Sequence, residues 1–357
     1  MVKKTIQTTT LGSFPKPSYL PIKDWFDSAR GKEGMNTEKT TLDFTKYKQE
    51  NHRNDEDLFL KAAKEVLIIQ EKAGIDIVTD GEVRRENYVH YHCRHLKGFD
   101  FNTLVNRVLR NGAYKTRLPS IREKIKHVGN YYASNDFSSS QRLTARPVKF
   151  TLPGPLTIMD TNADCFYYDR IKLNFDLAET INKEILELVN HGCKYVQVDE
   201  PLFARQVEDA LSFGMEGIER CFYKVPNHVT KIIHICCGYT DRLDDDKYQK
   251  ADPKSYFGLA EDLNSLRIDQ ISIEDAHFKN DLSLLEKFSD KKIIFGSINV
   301  TRSRIESVEE VYFRLLDALN HIDRERLIVS PDCGLGLLNT MQAEKKLQVM
   351  CEAVKRL

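Results

Sequence analysis

This 357-residue sequence carries no excess charge of either sign: lysine plus arginine and aspartate plus glutamate each number 53. Without a basic surplus there is no reason to expect nucleic acid or an anionic membrane surface as partner. Long apolar runs are missing too, since none approaches the ~20 residues that span a bilayer. The N-terminus, Met1-Val2-Lys3-Lys4-Thr5-Ile6-Gln7, starts basic but has no apolar core, so it makes a poor signal peptide. The eight cysteines lack the regular spacing of a disulfide scaffold. In a chain of this size they read mostly as buried reduced thiols, and a cytoplasmic location is expected. Internal repeats, low-complexity tracts and dividing linkers are also absent. With 41% hydrophobic residues, the chain has material for one large domain or two modest ones.

What is present is an alternation. Eight β-branched-rich segments, at 8–11, 75–79, 148–152, 195–198, 231–234, 270–274, 292–295 and 327–330, end in Gly, Pro or acidic residues. Amphipathic stretches of helix length lie between them, at 56–72, 173–190, 307–320 and 340–355. That order predicts an α/β fold with a parallel sheet. The count suits a (β/α)8 TIM barrel spanning 1–357 as a single domain, with a doubly wound open sheet as the alternative. The barrel is favoured because nearly all the unusual polar residues follow their strands, and those positions share one face of a barrel. Residues 84–146, rich in Arg, Lys, Tyr, Asn and Ser, break the alternation. They read as a partly helical insertion between strands 2 and 3, lying over the barrel mouth. Residues 241–252 form a further polar loop, and segment 17–31, with Trp25, is placed at the mouth.

Four residues at strand ends stand out as candidate metal ligands: His234, Cys236, Glu274 and Cys333. In His234-Ile235-Cys236 both side chains share a face, because a strand repeats every two residues, and Cys237 points the other way. A lone His and Cys at a strand end are more often core residues than ligands, and strand-terminal acids such as Glu274 are common in barrels. Cys333, in Ser330-Pro331-Asp332-Cys333-Gly334, fits a tight loop or a free buried thiol. Together, two thiolates, an imidazole and a carboxylate suit a borderline-soft ion such as Zn2+ in tetrahedral geometry. Arg84, Arg85, Arg302 and Arg304 near the mouth are candidate anion grips or ordinary paired arginines. Tyr88, His90, Tyr91, His92 and His95 are a second metal candidate, though helix packing or a lid is the stronger reading.

Several motifs, in this order and spacing, resemble the cobalamin-independent methionine synthase family, especially its short single-barrel members. They are Leu11-Gly12-Ser13-Phe14-Pro15, Asp80-Gly81-Glu82-Val83-Arg84-Arg85, Leu152-Pro153-Gly154-Pro155-Leu156-Thr157, Gln197-Val198-Asp199-Glu200-Pro201, His234-Ile235-Cys236, Ile273-Glu274 and Pro331-Asp332-Cys333-Gly334-Leu335. The resemblance implies a (β/α)8 barrel in which His234, Cys236, Glu274 and Cys333 bind zinc and zinc binds the thiol of homocysteine. It implies that Gly12 and Ser13 meet the amino-acid end of that substrate through backbone groups, and that Glu82 and Asp199 pair with its ammonium. The expected activity is methyl transfer to the thiol, giving methionine. Glu274, the hardest of the four ligands, is expected to loosen when the thiol enters.

Two departures bear on the methyl donor. No second, N-terminal barrel of the full-length synthases is expected within this chain. The family's Asp-x-His-Ser stretch reads Asn299-Val300-Thr301-Arg302 here, and threonine is no general acid near neutral pH. His277 is a candidate substitute, with a solvated loop histidine the stronger reading. A donor whose leaving group needs no proton, such as a methylated corrinoid protein, is therefore expected in place of polyglutamyl methylfolate. Alkyl transfer to another thiol such as coenzyme M, and a thiol-binding sensor without turnover, are the rival readings. A metal-free decarboxylase is disfavoured, because that chemistry does not need the cysteines.

Overall fold

Short β-branched segments line up side by side and all run the same way. The computed structural model describes residues 5–27, 29, 35–50, 55–109, 114–247 and 250–357, so segments 17–31, 84–146 and 241–252 each include residues outside that set. In chain order the strands are β1 (Gln7–Thr8), β2 (Leu96–Leu109), β3 (Tyr114–His127), β4 (Lys149–Pro153), β5 (Ala163–Asp164), β6 (Tyr195–Asp199), β7 (Thr230–Ile235), β8 (Gln270–Ile273), β9 (Lys292–Ile298) and β10 (Leu327–Pro331). Seven of them form one curled parallel sheet in the order β1-β10-β9-β8-β7-β6-β4. Its edges approach a common segment, with Thr9 bridged to Ile77 and Val78 bridged to Val148.

The period of two explains which residues face where. Phe150, Leu152, Val196, Val198, Ile233, Ile235, Ile271, Ile273, Ile293, Phe295, Leu327 and Val329 belong to the large core shared with the helices. The alternate positions Ile232, Ile294 and Ile328 form a separate small cluster with Leu11 inside the curl. On that inner parity also lie Lys149, Thr151, Gln197, Asp199, His234 and Ser272, all buried. Polar residues therefore line the inside of the sheet, and apolar ones cement its outside to helices such as Asp55–Ala73, Arg170–Asn190, Val308–Ala318 and Thr340–Arg356. Those four helices match the stretches expected from periodicity, with Ser307 closing a capping box at the third.

Two expectations need correction. Segment 75–79 forms isolated bridges at Ile77 and Val78 rather than a ladder strand. Side chains capture its partners: Thr79 N–H donates to Gln70 Oε1 at 3.0 Å, and the Asp76 carboxylate accepts from Thr8 N–H at 2.9 Å. The 84–146 stretch is also not merely partly helical. Between helices Tyr88–Cys93 and Tyr132–Gln141 it holds the long antiparallel pair β2–β3, to which β5, from beyond the stretch, adds in parallel. Charged residues alternate with apolar ones there, which hid the strands among loop-like composition.

The loop after β4 is locked to the loop after β6. Glu200, fully buried, accepts from Leu156 N–H at 2.8 Å, Thr157 N–H at 3.0 Å and Thr157 Oγ1–H at 2.7 Å. A Cβ on Gly154 would overlap the Glu200 carboxyl carbon. Gly154→Ala is therefore expected to cost about 1–3 kcal/mol by overpacking, read as a lower urea midpoint; an unchanged midpoint would show that Glu200 can move aside.

Candidate metal and substrate site

The register of the parallel sheet sets the site. Asp199 lies opposite His234, and His234 opposite Ser272, at the carboxyl ends of β6, β7 and β8. Cys236 follows β7 with the same parity as His234, while Cys237 turns into the core, its Sγ 3.7 Å from Tyr256 OH. Cys333 arrives from the loop after β10. His234 Nε2 lies 3.3 Å from Cys333 Sγ, and the two sulfurs are 3.6 Å apart. One donor atom from each of the three falls within 4.8 Å of the others, the one such group among the described residues. His234 Nδ1 is 2.9 Å from Ser272 Oγ; with the serine accepting there, the Nε2 lone pair is free for a metal.

The two sulfurs share a proton. The hydrogen bond from Cys333 holds the Cys236 thiol well below its ordinary pKa, with His234 and Lys250 adding to the effect. Cys333, as the donor, is pushed well up by the same bond. Burial opposes the charge on His234, but the neighbouring Cys236 raises its pKa overall. Two closely spaced sulfurs, one of them already favoured as a thiolate, and an imidazole form a donor set suited to zinc once the remaining protons are released.

Glu274 stands apart from the other three. Its Oε2 accepts from Cys237 N–H at 3.0 Å and from Lys250 Nζ at 2.8 Å. Its Oε1 lies 2.6 Å from Lys250 Nζ in the same buried ion pair. Burial raises the Glu274 pKa, against the pull of Lys250.

A cavity opens above these groups, lined by Ser13, Glu82, Asp199, His234, Cys236 and Cys333 among others. Burial pushes Asp199 up to about 7, with His234 opposing and Glu82 adding, while Gln197 donates to Oδ1 at 2.7 Å. Glu82, at φ 55, accepts from Thr151 Oγ1–H at 2.8 Å, and burial raises it too. Gly12 lies behind Glu82, where a Cβ would come 2.7 Å from Oε1, and its φ of 141 also favours glycine. Ser13 C=O accepts from Leu335 N–H at 2.6 Å, tying the β1 loop to the Cys333 loop. The cavity thus gathers Ser13, Glu82, Asp199 and three of the four proposed ligands, with Gly12 and Glu274 just behind its wall.

Sequence reasoning missed much of that wall. Trp25, Tyr88, Leu118, Arg205 and Tyr239 line it from the N-terminal segment, the stretch before β2, β3 and the loops after β6 and β7. Only Tyr88 and Trp25 carried a signal, as aromatics in segments expected near the mouth. His90, His92 and His95 are packing residues, kept neutral by burial at about 4, 3 and 4, and no metal group among the described residues includes them. Arg84 makes a bidentate pair with Glu56, Arg85 contacts Glu82 and Thr151, Arg302 pairs with Asp246 and Arg304 with Glu310. His277 Nδ1 sits 3.0 Å from Thr301 Oγ1, and burial with Lys250 and Arg302 nearby lowers it to about 4.

The family described as "Cobalamin-independent synthase, Catalytic domain" matches residues 6–356. The chain belongs to the cobalamin-independent methionine synthase family. It is a methyltransferase of that type. The methionine synthase of Saccharolobus islandicus (strain Y.G.57.14 / Yellowstone #1) is 33% identical over 356 residues, covering 98% of this chain and 94% of that one. The methionine synthase of Sulfolobus acidocaldarius is 32% identical over 343 residues, covering 96% and 89%. The B12-independent methionine synthase from Shewanella sp. W3-18-1, solved in complex with selenomethionine, superposes with a TM-score of 0.85 at 27% identity, covering 99% of this chain and 98% of that one. No helix among the described residues is long and apolar enough to cross a membrane.

The shared proton gives a check on the metal-free protein. Replacing Cys333 with Ala removes the donor and should raise the Cys236 pKa, so the ultraviolet thiolate absorbance at neutral pH is expected to fall. Undiminished absorbance would place the thiolate elsewhere.

Proposed function

We propose that this methyltransferase methylates the sulfur of homocysteine to give methionine, with zinc held by His234, Cys236 and Cys333 and with Glu274 as an exchangeable fourth ligand. The observation that carries this reading is one imidazole nitrogen and two sulfurs gathered at a cavity whose wall also holds two buried acids, Glu82 and Asp199. The relative solved with selenomethionine, methionine with selenium in place of sulfur, supports a pocket for that amino acid. Bound zinc would draw the proton from a coordinated thiol and leave its sulfur nucleophilic near neutral pH.

The chain's own residues do the rest. Asp199 and Glu82 receive the substrate ammonium, which supplies the positive charge that buried Asp199 lacks and adds to that of Arg85 beside Glu82. Gly12 leaves room for Glu82, and Ser13 borders the amino-acid end. The sulfur lone pair forms the new S–CH3 bond as the donor–CH3 bond breaks, and that electron pair departs with the donor. A folate nitrogen leaving in this way needs a proton. Thr301 has none to give near neutrality, and His277 is held as a weakly basic neutral imidazole. We therefore read the donor as other than polyglutamyl methylfolate, a methylated corrinoid protein being the candidate whose reduced cobalt leaves unprotonated.

The bridges at Ile77 and Val78 support reading that segment as the missing eighth strand. On that reading the chain is one (β/α)8 barrel with 84–146 inserted between strands 2 and 3 over its mouth. The eight free cysteines suit a reducing, cytoplasmic setting.

Two measurements test this. Asp199→Ala should raise KM for homocysteine about 30-fold or more, the ~2–5 kcal/mol cost of truncating a buried charge pair. A sulfonate thiol such as coenzyme M should be nearly unaffected, and equal losses for both would remove Asp199 from ammonium recognition. Metal analysis should give about one zinc per chain, largely lost in Cys333→Ser. Turnover of homocysteine is expected with methylcobalamin; turnover with methylfolate alone would overturn the donor reading, and a zinc-free active enzyme would overturn the site.

A further inference from the structure

Glu82 is held in a backbone conformation that L side chains rarely adopt, with φ at 55. Three contacts fix it there. Its N–H donates to Asp80 Oδ1 at 2.9 Å, and its C=O accepts from Arg85 N–H at 3.0 Å and from Lys16 Nζ at 2.7 Å. The Arg85 side chain is 1% exposed, with its Cζ 4.7 Å from the centre of the Phe150 ring. Its Nη1 donates to Thr151 C=O at 2.9 Å and Thr151 Oγ1 at 3.0 Å, and reaches Glu82 Oε1 at 3.4 Å. That same oxygen accepts from Thr151 Oγ1–H at 2.8 Å and is backed by Gly12, while Glu82 still lines the cavity. Nε and Nη2 of Arg85 find no hydrogen-bond partner among the described residues. A guanidinium buried with nitrogens unbonded is a poor stabiliser of a fold, which points to a role beyond packing.

We propose that Arg85, acting directly and through Thr151, is a positioning residue that ties back one oxygen of Glu82 and holds the carboxylate charged, so that its other oxygen is presented to the ammonium of an amino-acid thiol. This rests on the ammonium reading above. Burial favours the neutral acid at Glu82, and Arg85 is the chief pull toward the carboxylate. Asp80 also draws on the guanidinium, its Oδ2 lying 3.8 Å from Nη2, so Arg85 leaves Glu82 open to a second cation. An arginine that does not touch the substrate thereby sets the preference for thiols that carry an amino group.

Calorimetric Kd values for homocysteine and for 4-mercaptobutanoate, the same thiol acid without its amino group, test this on the zinc-loaded protein. The set is wild type, Arg85→Met, Glu82→Gln and the double variant. Arg85→Met is expected to weaken homocysteine about tenfold or more, as loss of a charged hydrogen-bonding group does, and 4-mercaptobutanoate by less than about threefold. In the Glu82→Gln background the same replacement should cost homocysteine less than about threefold, because no carboxylate is left to position. Should Arg85→Met fail to fold, Thr151→Val removes the linking hydroxyl alone and is expected to weaken homocysteine selectively, by about threefold. Equal changes for the two thiols in the variant that folds, none included, would overturn the proposal. So would an Arg85→Met loss that persists undiminished without Glu82. Wild type that binds both thiols alike, or neither, would instead overturn the reading of the ammonium site, and this inference with it.

Discussion

The site depends on one parallel register. Asp199 stands beside His234 and His234 beside Ser272, so a cavity-lining acid, an imidazole of the candidate metal group and the hydroxyl 2.9 Å from its Nδ1 come from three adjacent strands. Side chains alternate across a sheet, so a one-residue slip of β7 would turn His234 and Cys236 into the helical core and bring Ile233 and Cys237 inward. The outer positions resist that slip. Ile233, Ile235, Ile271 and Ile273 are fully buried against the helices, and exposing such a set costs about 1.5–3 kcal/mol for each side chain. Hydrophobic packing on the outside of the sheet thereby fixes polar chemistry on its inside.

Charge balance inside the curl follows from that confinement. Glu274 has Lys250, and Arg85 stands beside Glu82. Asp332 is spent on three backbone N–H groups, of Asp275, Ala276 and His277, which shape the loop after β8. Among the described residues Asp199 accepts from the Gln197 amide at 2.7 Å and has His234 beside it, while the buried Nζ of Lys149 finds no hydrogen-bond partner there and is pulled to about 7 by burial against the pull of Asp199. A carboxylate left short of positive charge at the edge of a cavity is a receptor for a cation. A free amino acid brings one.

Much of this was legible in the sequence because it follows local rules. His-x-Cys shares a face by the period of two, and the Pro-Asp-Cys-Gly loop could only lie at a strand end. The 3.6-residue stripes of helices 173–190 and 340–355 announce their buried sides. Lys250 was not legible: one lysine in a polar loop of like residues reads as solvated, and only the fold brings it to Glu274. β2 and β3 escaped because their alternation mixes charged and apolar residues, a pattern a two-sided ribbon shares with loops. The 75–79 segment pairs with both sheet edges, but only through single bridges. Its β-branched residues promise a strand, but Gln70 and Asp76 take hydrogen bonds that a ladder would have used.

The two halves of the cavity have different origins, and this bears on what can vary. Sulfur-side groups sit at the ends of β6, β7 and β10, fixed by the packed sheet. Trp25, Tyr88 and Leu118 on the other side come from the N-terminal segment and the 84–146 stretch. Their placement depends on local contacts, such as the Trp25–Tyr88 ring pair at 5.9 Å, rather than on sheet register. Loops and added ribbons tolerate change that strands do not. A thiol site on the sheet and a donor-facing wall built from such additions can therefore be altered separately. On the proposed reading, Thr301 and His277, 3.0 Å apart, decide what can leave on the donor side, and they stand outside the group of His234, Cys236 and Cys333.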